Sequence, residues 1–287
     1  MVEDIHFLDE GKVIITAASV GISKLRWISV LEEEDNGQAH IQIMKDGRYD
    51  HLPVTPKNGV ITEYYKTIIP DNFNEIEKHN ISYNDVIPLD TNIEVVIDKF
   101  YREKRTFYFL SFNDDISGLI TIGNLNCKQV QIYIFSLICE LEKELAFFVN
   151  FHLSHKELLD WLKEKAIAFE QKNVEDKCKN NKYQSIINQY EELVESGLEN
   201  DLTEHLFLID FLKIILDKKL FQFLSFSKKQ WKEYTSLNEL RHKIAHPTRS
   251  LLDKDQSIQQ LGKRLIRIRE MLFQLRKFKR INDYKWN

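Results

Sequence analysis

Gly118-Leu119-Ile120-Thr121 repeats the pattern of Gly59-Val60-Ile61-Thr62: a glycine, two aliphatic residues and a threonine. Runs of this kind, rich in β-branched residues, are typical of buried strands. A similar unit precedes each run, with a helix, a strand, a hairpin and a strand in the same order. The upstream segments are Ile43-Met44 and Tyr49–Val54 in the first copy, and Ile93–Ile97 and Arg105–Leu110 in the second. The sequence therefore predicts an internal repeat of about 60 residues.

This repeat resembles tandem cystathionine-β-synthase-type (CBS) domains, which commonly bind adenine nucleotides in clefts between two modules. In the family's motif, the hydroxyl at the strand end contacts phosphate, and an acidic or amide residue three positions later holds the ribose. The second module fits this motif with Thr121 and Asn124, whereas the first has Thr62 followed by Tyr65. The segment Tyr49–Val54 would flank the base.

The resemblance implies an α+β CBS pair over residues 1–127 and an adenine nucleotide ligand, namely ATP, AMP or a cyclic adenylate. The alternative is that both tetrapeptides are only buried strands. Many CBS modules serve only as dimerisation platforms, so the fold alone does not establish nucleotide binding.

From Lys128 onward the pattern becomes helical. Apolar residues recur at steps of three and four, which is typical of the core-facing side of a helix. These residues are Val130, Tyr133, Ile134, Leu137, Ile138, Leu141, Leu145 and Phe148. Further helices are predicted at 155–176, 183–196, 202–223, 228–246 and 256–280. The charged, Asn-rich segment 170–201 predicts a loop or a weakly packed helix. We therefore expect a second, all-α domain over residues 128–287.

Late in this half stands Arg241-His242-Lys243-Ile244-Ala245-His246-Pro247. The run resembles the motif of HEPN-domain ribonucleases, in which an arginine and a polar residue precede a histidine by a few positions. The resemblance implies an all-α HEPN helical bundle, a homodimer and a metal-independent endoribonuclease that leaves 2′,3′-cyclic phosphate ends. His242 occupies the polar position, which is most often Asn in the family.

The chemistry of metal-independent RNA cleavage explains why the motif contains an arginine and a histidine. An arginine presents a permanently charged fork of donors to phosphate oxygens, and a histidine can act as acid or base near neutral pH. On a straight helix, Arg241 and His246 lie about 140° apart. We therefore expect one chain's Arg241 to meet its partner's histidine in a shared cleft of the dimer.

Three alternatives to this interpretation remain. His242 and His246 have the i, i+4 spacing of metal ligands, but the glutamate of a zincin is missing, so we predict no metal site and no cofactor for catalysis. The motif could also only cap and solvate a helix end. Finally, the chain could be a non-catalytic, nucleotide-sensing dimeric interaction protein.

RNA is the predicted partner, and the C-terminal segment is its predicted contact surface. Between Gly262 and Arg280 basic residues far outnumber acids, and such a surface suits phosphate. The predicted RNA contacts are Lys243, Arg249, Arg264 and Arg267. The alternative is a solvated helix that pairs with acids such as Glu191, Glu192 and Glu195.

Composition restricts the remaining classes. The 287 residues carry a net charge of -4, so a nucleic-acid surface has to be local. The three scattered cysteines, Cys127, Cys139 and Cys178, argue against a disulfide framework. We expect no signal peptide, no membrane association and a cytoplasmic location. The two resemblances together suggest a defence or stress-response toxin under nucleotide control.

Overall fold

A computed structural model describes residues 15–33, 36–69, 72–172, 180–198, 201–246, 248–254 and 256–283. The chain divides into two compact units. The first comprises the described residues up to Tyr133 together with Ser250–Gly262, and the second comprises Ile134–Arg249 and the residues from Lys263. The domain boundary expected between residues 127 and 128 stays a prediction. No helix in the described ranges combines the length and hydropathy that a bilayer crossing requires.

The first four-stranded sheet of the first unit has the order β2-β3-β4-β5. Its strands are β2 (Val30–Leu31), β3 (His51–Thr55), β4 (Glu63–Ile69) and β5 (Asn72–Asn80). β2 and β3 are parallel, and the other neighbours are antiparallel. A parallel pair needs a crossover, which helix α2 (Gly37–Gly47) supplies.

The second sheet repeats this plan with the order β1-β8-β7-β6. Its strands are β6 (Val86–Pro88), β7 (Phe107–Phe112), β8 (Asp115–Thr121) and the short β1 (Ile22–Ser23), which follows helix α1 (Ala17–Val20). Helix α3 (Ile93–Glu103) connects the parallel pair β6 and β7. The first residues of β2 and β6, of α2 and α3, and of β3 and β7 are each 56 positions apart. The predicted internal repeat is confirmed.

One predicted strand is wrong. Gly59–Thr62 lies in the loop between β3 and β4, and β4 begins only at Glu63. Gly59 has a φ of 100°, a conformation that glycine adopts readily and that belongs to a turn. By contrast, Gly118–Thr121 does end strand β8, as predicted. Just before α1, Thr16 forms an isolated antiparallel bridge to Asn92.

Aromatic rings connect the two sheets. Tyr64 on β4 packs in one buried cluster with Phe107 and Phe109 on β7. The Tyr64 and Phe109 ring centroids are 5.3 Å apart, in an edge-to-face arrangement that aromatic pairs prefer. One hydrophobic cluster of the first unit therefore lies between its two sheets.

The helices of the second half begin with α4 (Lys128–His152), whose residues from Ile134 onward belong to the second unit. The others are α5 (His155–Lys172), α6 (Lys182–Glu195), α7 (Leu208–Asp217), α8 (Lys228–Glu233), α9 (Leu237–Ile244) and α10 (Ile258–Asp283). The apolar stripe predicted on α4 is buried at Ile138, Leu141 and Leu145, as expected. The predicted helical structure of this half is thus confirmed.

Two predicted helices are shorter than expected. The segment 202–223 contains α7 between two 3-10 turns, Leu202–His205 and Leu220–Leu224, because the left-handed backbone of Lys219 interrupts it. The segment 228–246 is divided into α8 and α9 by the 3-10 turn Tyr234–Ser236. The segment predicted as loop or weak helix contains α6, and its residues 173–179 and 199–200 lie outside the described ranges.

Candidate functional site

A cavity of about 520 Å³ opens in the first unit beside the end of β8. Four segments that are distant in sequence line it: the β1–β2 loop, the turn between α2 and β3, the start of β7, and the end of β8. The lining residues that matter below are Arg26, Trp27, Arg48, His51, Phe107 and Thr121. The cavity brings together the predicted phosphate contact Thr121 and the predicted base-flanking segment that begins at Tyr49.

Thr121 and Asn124 form a reciprocal cap at the end of β8. The backbone N–H of Thr121 donates to Asn124 Oδ1 at 2.7 Å, and its Oγ1 donates to the same oxygen at 2.9 Å. Thr121 lines the cavity, whereas Asn124 does not. The amide oxygen of Asn124 therefore organises the turn, and its predicted contact with ribose stays a prediction.

Thr62, the third predicted nucleotide contact, is not part of this cavity. It lies in the β3–β4 loop, ahead of β4 rather than at its end. β4 leads into the neighbouring strand β5 instead of a helix. The first copy of the repeat thus lacks the strand-end hydroxyl on which the prediction for Thr62 depended.

Two guanidinium groups line the cavity, and the sequence motif did not reveal either of them. Arg26 and Arg48 are exposed, and neither has an ion-pair partner among the described residues. Arg48 ends α2 in a left-handed conformation, with φ at 52°. The one acidic side chain of the lining is Asp50, whose Oδ1 accepts a hydrogen bond from Thr67 at 3.2 Å. The lining therefore carries net positive charge, which suits phosphate.

His51 adds an uncharged polar group to the cavity. Burial, together with the nearby positive charge of Lys66 and with His79, lowers the pKa of His51 to about 3. Its ring lies against Phe107, with centroids 3.5 Å apart. The Nε2 atom is buried, and among the described residues it has no hydrogen-bond partner. A neutral imidazole offers one donor and one acceptor, so His51 is suited to the polar edge of a bound ring.

In the second unit, Arg241 lies in the last turn of α9 beside α4. Its Nε atom is 3.6 Å from Oε1 of Glu142, and its guanidinium carbon is 4.9 Å from the centroid of the Phe207 ring. Glu142 Oε1 also accepts the backbone N–H of Leu208 at 2.9 Å. Burial raises the pKa of Glu142, while the Leu208 N–H and Arg241 oppose that shift. A half-buried carboxylate therefore lies beside the Arg241 guanidinium at ion-pair distance.

The histidines of the motif have different surroundings. α9 ends at Ile244 with Ala245 as its C-cap, so His246 follows the helix instead of ending it; Pro247 lies outside the described residues. His242 and His246 are both exposed. The described contacts include none between the side chains of Arg241 and His246. Their predicted meeting across a dimer stays a prediction.

The predicted RNA contacts on α10 are engaged in ion pairs. Arg264 pairs with Glu239, and Arg267 pairs with Glu233 at 2.7 Å. Both acids belong to α8 and α9, not to the α6 acids considered from sequence. Of the other two predicted contacts, Lys243 is half-buried and Arg249 is exposed. Within the described ranges, no group of three or more His, Cys, Asp or Glu side chains is placed to hold a metal ion.

No protein-family profile and no curated protein matches the sequence. Among solved structures, a hemolysin-like protein of Oenococcus oeni PSU containing a CBS domain has a TM-score of 0.30 and 15% identity, covering 42% of this chain and 94% of its own. The ATP complex of the CBS domain of a bacterial CNNM/CorC-family Mg²⁺ transporter has a TM-score of 0.32 and 12% identity, covering 45% of this chain and 94% of its own. A hexameric CBS-CP12 protein of bloom-forming cyanobacteria has a TM-score of 0.28 and 12% identity, covering 39% of this chain and 71% of its own. At these TM-scores the likeness carries no argument of its own.

Proposed function

We propose that the first unit is a CBS-type sensor that binds an adenine nucleotide in the cavity beside Thr121. The observation that carries this proposal is the presence of Arg26, Arg48 and Thr121 in the lining of one cavity. Guanidinium groups and a hydroxyl are the side chains that bind phosphate oxygens. Trp27, Phe107 and the neutral His51 supply aromatic and polar contacts for the base. ATP, AMP and cyclic adenylates are the candidate ligands.

Titration calorimetry with ATP, AMP and adenosine tests this proposal on the full chain. Arg26→Gln combined with Arg48→Gln removes two positive charges from the lining. The matched control is Lys24→Gln with Lys45→Gln, which removes two exposed charges that do not line the cavity. We expect the first pair to weaken ATP binding by more than tenfold while adenosine binding changes little. Equal ATP affinity in both double variants, or no binding by the wild type, would contradict the proposal.

For the second unit we propose HEPN-type, metal-independent endoribonuclease activity in a homodimer. Arg241 would bind the scissile phosphate, with Glu142 and Phe207 holding its guanidinium in place. His246 would transfer a proton. As the 2′-oxygen attacks phosphorus, its proton passes to a base, the bond to the 5′-oxygen breaks, and that oxygen receives a proton. The products would be a 2′,3′-cyclic phosphate and a free 5′-hydroxyl.

The ribonuclease is tested by incubating purified protein with total RNA in EDTA, with and without ATP, AMP and cyclic adenylates. His246→Ala is compared with His155→Ala, which removes an exposed histidine outside the motif. We expect cleavage by the wild type and the His155 variant and none by the His246 variant. Cleavage at equal rates by all three would assign the activity to a contaminant or another site.

A second candidate is the non-catalytic sensor. The ion pair between Arg241 and Glu142 within one chain favours it, because a structural arginine would be engaged in this way. Absence of cleavage with every nucleotide added would support this alternative. Nucleotide control of either function requires the ligand to bind two conformations with different affinity. A nuclease held inactive until a nucleotide arrives would fit a defence or stress-response toxin.

A further inference from the structure

The second unit contains a separate cleft of about 710 Å³ near the end of α7 and the start of α8. Its lining includes Asp217, Lys219, Phe221, Phe226, Lys228 and Lys232. None of these residues belongs to the sequence motif at Arg241 or to the basic helix α10. We refer to this feature as the lysine cleft.

The charge of the lysine cleft is strongly positive. Lys219, Lys228 and Lys232 are exposed, and within the described part of the chain none of them has an ion-pair partner. Asp217 is the one acid of the lining, and it is engaged elsewhere: its Oδ2 accepts from Trp161 Nε1 at 3.1 Å and lies 2.8 Å from Lys165 Nζ. Three uncompensated ammonium groups therefore share one concave surface.

The walls of the lysine cleft are well supported. Lys219 and Ser225 both have left-handed backbones, with φ at 59° and 58°, and they flank the 3-10 turn Leu220–Leu224. Residues other than glycine rarely adopt this conformation. The turn is anchored by Phe221, which is 5% exposed. Phe226 packs on Tyr234 at a centroid distance of 5.2 Å. The surrounding fold thus holds Lys219 and the aromatic wall in place.

We propose that the lysine cleft binds the sugar–phosphate backbone of single-stranded RNA, at a distance from the reacting bond; this rests on the proposed ribonuclease activity of the same unit. Ammonium groups act as point charges for phosphate, and the half-buried ring of Phe226 lines the same cationic groove, where an aromatic face can stack on an unpaired base. On α10, by contrast, Arg264 and Arg267 already pair with carboxylates.

Helix α7 gives the distance between the lysine cleft and Arg241. Its first residue, Leu208, donates to the glutamate that holds Arg241, and its last residue, Asp217, lines the cleft. Ten residues of helix span about 15 Å, which is about four times the 3.4 Å between charges along one strand of duplex DNA. A dinucleotide placed at Arg241 therefore cannot reach the cleft, whereas a longer RNA reaches both.

Fluorescence anisotropy with a labelled single-stranded RNA of about 20 nucleotides tests the binding, in full-length protein carrying His246→Ala to prevent cleavage. The test variant adds Lys219→Gln, Lys228→Gln and Lys232→Gln. The matched control adds Lys128→Gln, Lys156→Gln and Lys163→Gln, three exposed lysines that do not line the cleft. Because all six lysines are exposed, we expect both variants to fold, which their thermal midpoints will check.

The expected result is a loss of at least tenfold in affinity for the test variant. The slope of log affinity against log salt should fall by about 2, since each single-strand phosphate contact contributes about 0.7. The control should keep both the affinity and the slope. Equal affinities and slopes for the two variants would overturn the proposal, and so would a loss confined to the control, which would assign the RNA to the surface of α4 or α5.

Cleavage assays separate this proposal from the one on which it rests. With His246 intact, the three cleft substitutions should raise KM for the long RNA and leave cleavage of a dinucleotide unchanged. If none of the variants cleaves RNA but binding still depends on the three lysines, the proposed ribonuclease activity is wrong and the proposed RNA binding by the lysine cleft is supported. If RNA is cleaved with a KM that is independent of the lysines, the cleft alone is wrong.

Discussion

Glu142 on α4 and Arg241 on α9 lie 99 positions apart in sequence, yet their side chains meet at 3.6 Å. The same carboxylate accepts the backbone N–H of Leu208 at the start of α7. One half-buried side chain therefore connects three helices of the second unit. It also lies at ion-pair distance from the guanidinium on which the proposed phosphate contact depends.

Removal of the Glu142 carboxylate should destabilise the second unit. Glu142→Ala leaves the Leu208 N–H and the Arg241 charge without their acceptor, so we expect a loss of about 1–3 kcal/mol in the free energy of unfolding. Glu142→Gln keeps an oxygen acceptor for the N–H and should lose clearly less. Urea unfolding of the two variants measures the difference. Equal losses would show that the Leu208 hydrogen bond contributes nothing.

His51 should make the stability of the first unit depend on pH. Its pKa is lowered to about 3 by burial, against an ordinary value of 6.5. Between these values the unfolded chain binds a proton that the native chain does not, so stability rises with pH from about 3 to 6.5. The slope from this group is at most about 1.4 kcal/mol per pH unit.

The variant His51→Phe keeps a ring beside Phe107 but cannot titrate. We expect unfolding experiments between pH 4.5 and 6.5, a range inside the window set by its pKa, to show a shallower slope for this variant than for the wild type. His155→Phe, which replaces an exposed histidine in the second unit, should keep the wild-type slope. A slope that is unchanged in His51→Phe would mean that this imidazole is not the group responsible.

The internal repeat could be predicted from sequence because it depends on local patterns. The same order of helix, strand, hairpin and strand recurs at a fixed separation. The mistake at Gly59–Thr62 has a local cause as well: its letters match Gly118–Thr121, but a turn glycine and a strand glycine look identical in sequence. Only the backbone angle of Gly59 distinguishes the two.

The missing parts of the candidate sites depend on long-range pairing. Ile22 of β1 pairs with Leu119 of β8, and this pairing brings the following loop, with Arg26, to the cavity. No periodicity in the first 30 residues indicates that partner. The same holds for Glu142, which sequence analysis placed on a helix without finding its contact with Arg241. The sequence motifs singled out Thr121 and Arg241 as candidate site residues. The side chains that surround them could be found only from the fold.

Gly118 should be sensitive to substitution for a reason unrelated to ligand binding. A Cβ at this position would overlap the carbonyl oxygen of Ile22 on the adjacent strand β1. Because backbone atoms cannot move aside cheaply, we expect Gly118→Ala to cost about 1–3 kcal/mol of stability. Gly123→Ala is the control, since its Cβ would meet only Thr121 Oγ1, at 3.5 Å. Thermal unfolding that ranks the two variants equally would contradict the close approach of β1.

Thr121 and Asn124 should separate ligand binding from turn stability. Thr121→Val removes the hydroxyl from the cavity but keeps the backbone N–H that donates to Asn124. The Thr121 hydroxyl has one proton, which it donates to Asn124 in the free protein and would donate to a phosphate oxygen instead when ATP is bound. Loss of that hydrogen bond to a charged phosphate weakens binding by about 1.5–3 kcal/mol, so ATP affinity should fall by about 10- to 100-fold. Thr121→Ser keeps the hydroxyl and should bind nearly as the wild type does.

Asn124→Ala has the opposite profile, because Asn124 does not line the cavity but accepts both bonds from Thr121. We expect it to lose about 1 kcal/mol of stability, as removal of a capping side chain does, and to lose less ATP affinity than Thr121→Val. Calorimetry and thermal unfolding of the same three variants give both quantities. If Asn124→Ala loses as much affinity as Thr121→Val, the amide contacts the ligand as the family motif implies. If Thr121→Val binds ATP like the wild type, the cavity beside β8 is not the nucleotide site.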